Sequence, residues 1–218
     1  MKQLSLPISE ELSEYCEFFV TSCNEEAYEF LISEYNSENI PFFRIVLSGE
    51  KSSGKSRLAK LWCGTGLYIN CRSNGLNIKV HSQYERVVID NFELADEVEL
   101  LHIINDCMHN HIVILLVTTN TLQCKLADLS SRINSAYHLK IFSPDSEIAM
   151  LMIQEMCVMN KIKVHHNAFN YMNKYLKFNS FVDLLSFKMR LQKICENNKM
   201  TVDINTLKLA YENYRHWL

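Results

Sequence analysis

Gly49-Glu50-Lys51-Ser52-Ser53-Gly54-Lys55-Ser56 has the spacing G-x-x-x-x-G-K-[ST], after the apolar run Arg44 to Ser48 and before a helical pattern that continues to Trp62. Strand, glycine-bounded loop and helix in that order let backbone N–H groups converge on an anion at the positive end of a helix. The feature commits the chain to a buried strand with a phosphate-sized loop at its carboxyl end. Gly49, Ser52, Ser53 and Gly54 would wrap the phosphates, Lys55 would reach the β- and γ-phosphates, and the Ser56 hydroxyl would bind Mg²⁺. The chain has only five glycines, all between positions 49 and 75, so their clustering is informative.

Further short apolar runs read as strands: Leu67 to Asn70, Leu76 to Val80, Val87 to Ile89, Ile112 to Val117 and Tyr137 to Ile141. Helical patterns separate most of them, at Ser56 to Trp62, Glu93 to Asn105 and Leu126 to Asn134. Alternation of this kind predicts an α/β fold, a parallel sheet flanked by helices. Upstream, Ser9 to Phe18 reads as a short helix. A second helix opens at Asn24, a suitable N-cap, with Ala27, Phe30, Leu31 and Tyr35 on one face. After Pro144 the strand signals stop. Asp145 to Asn160, Asn167 to Tyr175, Ser180 to Cys195 and Asp203 to Tyr214 are helical patterns, so a small all-helical unit closes the chain. The expected organisation is a tail at 1–8, an α/β core at 9–152 and a helical lid at 153–218.

The loop needs an acidic partner at the tip of another buried strand. Arg86-Val87-Val88-Ile89-Asp90 supplies one, and Asp90 would hold Mg²⁺ through water. Asn91 follows where many motor-type ATPases carry a second acid. An amide cannot act as a general base, so slow hydrolysis is expected. Val117-Thr118-Thr119-Asn120 ends the Ile112 run. Either threonine or Asn120 could orient water there, or the segment is ordinary strand-end polarity.

At this point the chain resembles the AAA+ ATPases of the bacterial replication initiator DnaA, and is most similar to the short Hda branch of that family. Cys23-Asn24-Glu25-Glu26-Ala27-Tyr28 resembles the family's helix start beside the adenine. Ser56-Arg57-Leu58-Ala59-Lys60-Leu61-Trp62 continues the phosphate loop as in the family. Asp128-Leu129-Ser130-Ser131-Arg132-Ile133-Asn134-Ser135, Ser143-Pro144-Asp145 and Asn179-Ser180-Phe181 with Leu184 are similar to further family segments. The resemblance implies an AAA+ P-loop NTPase fold with a helical lid, and ADP or ATP with Mg²⁺ as cofactors. It implies nucleotide contacts from Asn24 and Arg57, and Arg132 as an arginine finger for a neighbouring subunit's nucleotide. The family's lid arginine falls at Asn179, which with Asn91 weakens γ-phosphate sensing. Nucleotide binding is therefore more firmly implied than turnover.

Gln3-Leu4-Ser5-Leu6-Pro7 resembles the peptide by which Hda and DNA polymerases dock on the replicative sliding clamp (the polymerase III β subunit). Gln3 would enter a polar pocket, and Leu4 and Leu6 an apolar groove worth roughly 3–6 kcal/mol before ordering costs. The resemblance implies the clamp and DnaA as partners and leaves room for a homo-oligomer. No helix-turn-helix follows the lid pattern, so sequence-specific reading of duplex DNA is not expected. A net charge of −3 argues against a broad electrostatic grip on nucleic acid. No apolar run approaches the ~20 residues that span a bilayer. Eight scattered cysteines without C-x-x-C spacing read as reduced thiols of a cytoplasmic protein. Asp106 to His111 carries metal-capable residues but reads as a polar connection.

Three functions compete: a clamp-bound regulator that promotes hydrolysis of ATP on DnaA, a helicase loader or transposition helper that binds single-stranded DNA and helicase, and a small-molecule kinase. A kinase lid should carry arginines, whereas the helical tail holds only Arg190 and Arg215.

Overall fold

The structure, a computed structural model, describes residues 18–34, 44–72, 76, 80, 83–119, 124–198 and 201–215. Five parallel strands form one sheet: β1 Arg44–Gly49, β2 Leu67–Asn70, β3 Arg86–Asp90, β4 Val113–Thr118 and β5 Tyr137–Ile141. Their spatial order is β2-β3-β4-β1-β5. The expected α/β class is borne out. The tail, the expected Ser9 helix up to residue 17, Tyr35 and Asn120 lie outside the described residues. Leu76 and Val80 are buried, but neither is in a strand, and residues 77–79 lie outside the described residues.

The inner strands β1, β3 and β4 are nearly continuous apolar runs because both faces of the sheet are covered there, whereas the edge strand β5 alternates, with His138 and Lys140 exposed. Side chains alternate between two cores. On one face Ile45, Leu47, Val88, Leu115, Val117 and Leu139 pack with Leu58, Ala59 and Trp62 of α2 (Lys55–Cys63). On the other face Val46, Val87, Ile89, Ile114 and Leu116 meet Leu100, Ile103 and Ile104 of α3 (Glu97–His109) and Leu129 and Ile133 of α4 (Ala127–Asn134). The first core continues into α5 (Ser146–Met159), α6 (His166–Tyr175), α7 (Phe181–Asn198) and α8 (Ile204–Arg215). Among the described residues no helix is long and apolar enough to cross a membrane.

Two local departures from the expected pattern shape the site. The helix at Asn24 covers only Glu25–Tyr28 (α1) and widens into a π-helical segment, Glu29–Glu34. The helix expected from Glu93 starts later, because Asp96 is the N-cap: its Oδ1 accepts from Val98 N at 2.9 Å and Glu99 N at 3.1 Å. Phe92–Leu94 instead forms a 3₁₀ turn, which leaves Glu93 beside the tip of β4.

Gly66 precedes β2 where the chain passes under β3. A Cβ there would run into the carbonyl oxygen of Arg86 and stand 2.9 Å from that of Cys63. Both obstacles are backbone and cannot swing aside. Gly66→Ala should lower stability by about 1–3 kcal/mol, read as a reduced urea midpoint. An unchanged midpoint would contradict this packing.

Candidate functional site

β1 delivers the chain to Gly49, whose missing side chain lets the strand end lie against Ile141 O, 2.8 Å from where a Cβ would be. The loop then turns through Ser52 at φ +67° and Gly54 at φ +90°. Left-handed conformations in close succession aim backbone N–H groups into a common hollow, the geometry of an anion nest. α2 begins at Lys55 and points its amino end into the same hollow.

Lys55 is 6% exposed. Its Nζ donates to Glu50 O at 2.5 Å and Ser53 Oγ at 3.4 Å. Burial pushes its ammonium below the usual lysine value, while Asp90 and Glu93 pull it back up. One pocket of about 570 Å³ brings together Lys51, Ser52, Lys55, Ser56, Asn70, Arg72, Asp90, Asn91, Thr118 and Thr119. Residues from the ends of β1, β2, β3 and β4 thus meet at the carboxyl edge of the sheet, where open α/β folds hold their ligands.

Asp90 closes β3 and is 1% exposed. Its Oδ2 accepts from Tyr68 Oη at 2.5 Å and its Oδ1 from Asn91 N at 3.0 Å. Burial, and then the bond to Asp90, push the Tyr68 phenol well above its ordinary value, and Ser56 also hydrogen-bonds that phenol. Tyr68 therefore links the two residues expected to serve the metal. Asn91 adopts a left-handed conformation at φ +56°, and its Nδ2 donates to Asn70 Oδ1 at 3.1 Å. Glu93 reaches the tip of β4, where its Oε1 accepts from Thr119 Oγ1 at 2.7 Å and Thr119 N at 3.2 Å. Burial pushes the Glu93 carboxyl up, but hydrogen bonds from Thr119, from its own backbone N–H and from Thr118 together outweigh it and hold the group below the usual carboxylate value.

A second cleft of about 560 Å³ lies on the other side of the loop, lined by Asn24, Ser52, Ser53, Gly54 and Arg57 with Phe18, Ile148, Met152 and Phe181. The Phe18 ring crosses Gly54, 3.1 Å from where a Cβ would sit, and stacks on Tyr28. The Asn24 side chain makes no cap bond to α1. Its Oδ1 accepts from Thr21 N at 2.9 Å and its Nδ2 donates to Phe19 O at 2.8 Å, so the amide braces the cleft wall. Asp145 caps α5 by accepting from Ile148 N at 2.7 Å, and accepts from Ser22 Oγ and Cys23 N at 2.9 and 3.2 Å. Burial raises this carboxyl, and those hydrogen bonds bring it below its ordinary value. Ser143 Oγ donates to Glu50 Oε1 at 2.6 Å. The Ser143-Pro144-Asp145 segment thus fastens both the phosphate loop and the cleft wall to α5.

Asn179 is exposed just before α7 and lines neither pocket. Arg132 is half-buried in the last turn of α4, away from both. Gln3 to Pro7 lies outside the described residues. Among the described residues no cluster of His, Cys, Asp or Glu could hold a metal ion. Asp106 to His109, expected to lie in a polar connection, instead form the last turn of α3, with Cys107 buried in the core, and only Asn110 and His111 turn toward β4. Seven of the cysteines are free, and Cys71 and Cys124 are the half-buried ones among them. Tyr68, Asn70 and Glu93 were not evident from sequence. For Tyr68 and Asn70 the signal is strand adjacency, Asn70 pairing with Asp90 in register; Glu93 sits in the turn after β3.

No family model and no curated protein matches the sequence. The fold, however, is similar to solved structures. Domain III of the Thermotoga maritima replication initiation protein DnaA superposes with a TM-score of 0.67 at 16% identity, over 90% of this chain and 94% of that one. AMPPCP-bound DnaA from Aquifex aeolicus gives 0.61 at 17% identity, over 81% of this chain and 63% of that one. The AAA domain of FIGL-1 in complex with ADP gives 0.62 at 11% identity, over 88% and 81%. The chain therefore has the AAA+ fold, a parallel sheet flanked by helices with a helical C-terminal part.

Lys55→Ala should abolish binding of ADP and ATP in isothermal titration; retained affinity would contradict the site. Thr119→Val tests the bonds to Glu93. Because the folded carboxyl titrates below its ordinary value of ~4.3, its ionised form adds stability above that value, lost as pH falls through the folded value. The substitution should cost about 1 kcal/mol at neutral pH, and less in acid, in urea unfolding.

Proposed function

We propose that this chain is a clamp-associated, adenine-nucleotide-binding AAA+ protein that regulates replication initiation by promoting hydrolysis of ATP held by DnaA. In this reading Gly49 to Ser56 hold ADP or ATP. The Ser56 hydroxyl and Asp90 carboxylate would hold Mg²⁺; they open on one pocket with Lys55, and hard oxygen donors suit that ion. The ion would supply charge neutralisation between phosphates. Asn24 and Arg57 border the nucleotide, and Thr118 and Thr119 stand at the γ-phosphate. Residues 1–8 would be the clamp-docking tail, 9–152 the nucleotide-binding core and 153–218 the lid.

The observation that carries the reading is the position of Arg132. It shares a contact with Arg44, the first residue of β1, on Met108 Sδ. The phosphate loop begins at the far end of that strand, about 17 Å away at ~3.3 Å per residue. A guanidinium at that end cannot serve its own subunit's phosphates, and its permanent charge and forked donors suit those of a neighbour. Asn91 adds support. Its amide is engaged with Asn70 and cannot accept a proton, so a protein acting on a partner's nucleotide needs less hydrolysis of its own.

Intrinsic ATP turnover should stay below about 1 s⁻¹, and Asn91→Asp should raise it. Gln3→Ala with Leu6→Ala should abolish clamp binding and leave nucleotide affinity unchanged. Arg132→Ala should leave both bindings intact and remove the stimulation of hydrolysis by DnaA. Stimulation by the Arg132→Ala protein at wild-type level would contradict the mechanism. Capture of helicase and single-stranded DNA without clamp binding would instead support a loader.

A further inference from the structure

Arg132 does not stand alone. Arg44 opens β1, and its Nη1 lies 2.8 Å from Met108 Sδ, while Arg132 Nη1 lies 3.1 Å from the same sulfur. Arg44 Nη2 donates to Ser135 Oγ at 3.2 Å, and Ser135 Oγ donates to Arg132 O at 3.1 Å. Two guanidinium ions therefore meet across one thioether, a weak acceptor without charge.

Among the described residues neither arginine has a carboxylate within salt-bridge distance; the ion pair found there is Lys188–Glu155. The Nε atoms of Arg44 and Arg132 are both buried without a hydrogen-bond partner. Like charges in contact repel, and buried donors without acceptors are costly. An oxyanion seated between the two forks would relieve the repulsion, because guanidinium donors match phosphate oxygens in pairs. The length of β1 keeps the chain's own nucleotide out of reach, so the anion must belong to another molecule.

We propose that Arg44 and Arg132 together form a two-armed receptor for the phosphates of a nucleotide held by a neighbouring AAA+ subunit. The proposal rests on the trans role of Arg132 given above and adds a second arm to it. Arg44 comes from the sheet and Arg132 from a helix, so the two guanidiniums approach the anion from different elements. Met108, 37% exposed, holds both arms near one point while making only weak bonds that phosphate oxygens readily replace.

Two experiments test this with the full chain. In the first, Lys55→Ala removes competition from the phosphate loop, inorganic tripolyphosphate is the probe, and the Nε–Hε NMR signals of ¹⁵N-labelled arginine are followed. Both Arg44 and Arg132 signals should shift together, and Arg44→Met should abolish the Arg132 response. Arg44→Lys, which keeps the charge and loses the fork, should weaken it. No shift at millimolar probe, or an Arg132 response indifferent to both Arg44 variants, would overturn the receptor.

In the second, the phosphate loop is intact and hydrolysis of ATP on clamp-associated DnaA is measured. Arg44→Met should reduce stimulation at least about tenfold with clamp binding unchanged, and Arg44→Lys should fall between. If Arg132→Ala abolishes stimulation but both Arg44 variants act as wild type, the second arm is wrong and the function stands. If no substitution at either position matters, the trans role itself falls.

Discussion

Everything at the site depends on β4 lying between β1 and β3. With strands about 4.8 Å apart, that order sets Asp90 roughly two strand spacings from the phosphate loop. The gap is floored by Thr118 and Thr119 at the tip of β4. Lys55 stands at its edge, nearly sealed from water, with Nζ bonded back to Glu50 O and Ser53 Oγ. Its desolvation disfavours the ammonium and holds it below the usual lysine value, and the charges of Asp90 and Glu93 offset only part of that. The loop, the acid and the threonines are therefore one electrostatic unit, held in register by the two cores that alternate along the inner strands.

That unit was only partly legible in the sequence. The strand–loop–helix at Gly49 to Ser56 and the β-branched run into Asp90 are local patterns, and both stand where expected. What sequence could not supply is which strands are neighbours. β2 follows β1 in the chain but lies three places away in the sheet, beside β3. Only that adjacency brings Tyr68 to Asp90 and Asn70 to Asn91. Glu93 was hidden for a local reason. Its apolar neighbours fit a helical period, but Asp96 caps the helix three residues later and releases the carboxylate toward Thr119. Asn24 reads as a cap by residue type, yet the tight turn at Thr21 captures its amide first. The C-terminal helices were legible because their apolar stripes are long. They pack on α5 through the first core, and Asp145 ties the start of α5 to Ser22 and Cys23 across more than a hundred residues of chain.

The sheet also separates two kinds of chemistry. Its carboxyl edge gathers the phosphate loop, a buried acid and hydroxyls. Its amino edge carries Arg44 and Arg132 with no carboxylate to balance them among the described residues. In the proposed reading the rigid strands keep the two apart, so that the arginines of this chain meet the phosphates of a neighbour.

The most direct measurement is single-turnover hydrolysis of ATP bound to DnaA on DNA-loaded clamps, with and without this chain in its nucleotide-bound form. The account predicts that adding the chain raises the rate of phosphate release from DnaA by orders of magnitude, as trans arginines do elsewhere. An unchanged rate, with the chain demonstrably on the clamp, would contradict it.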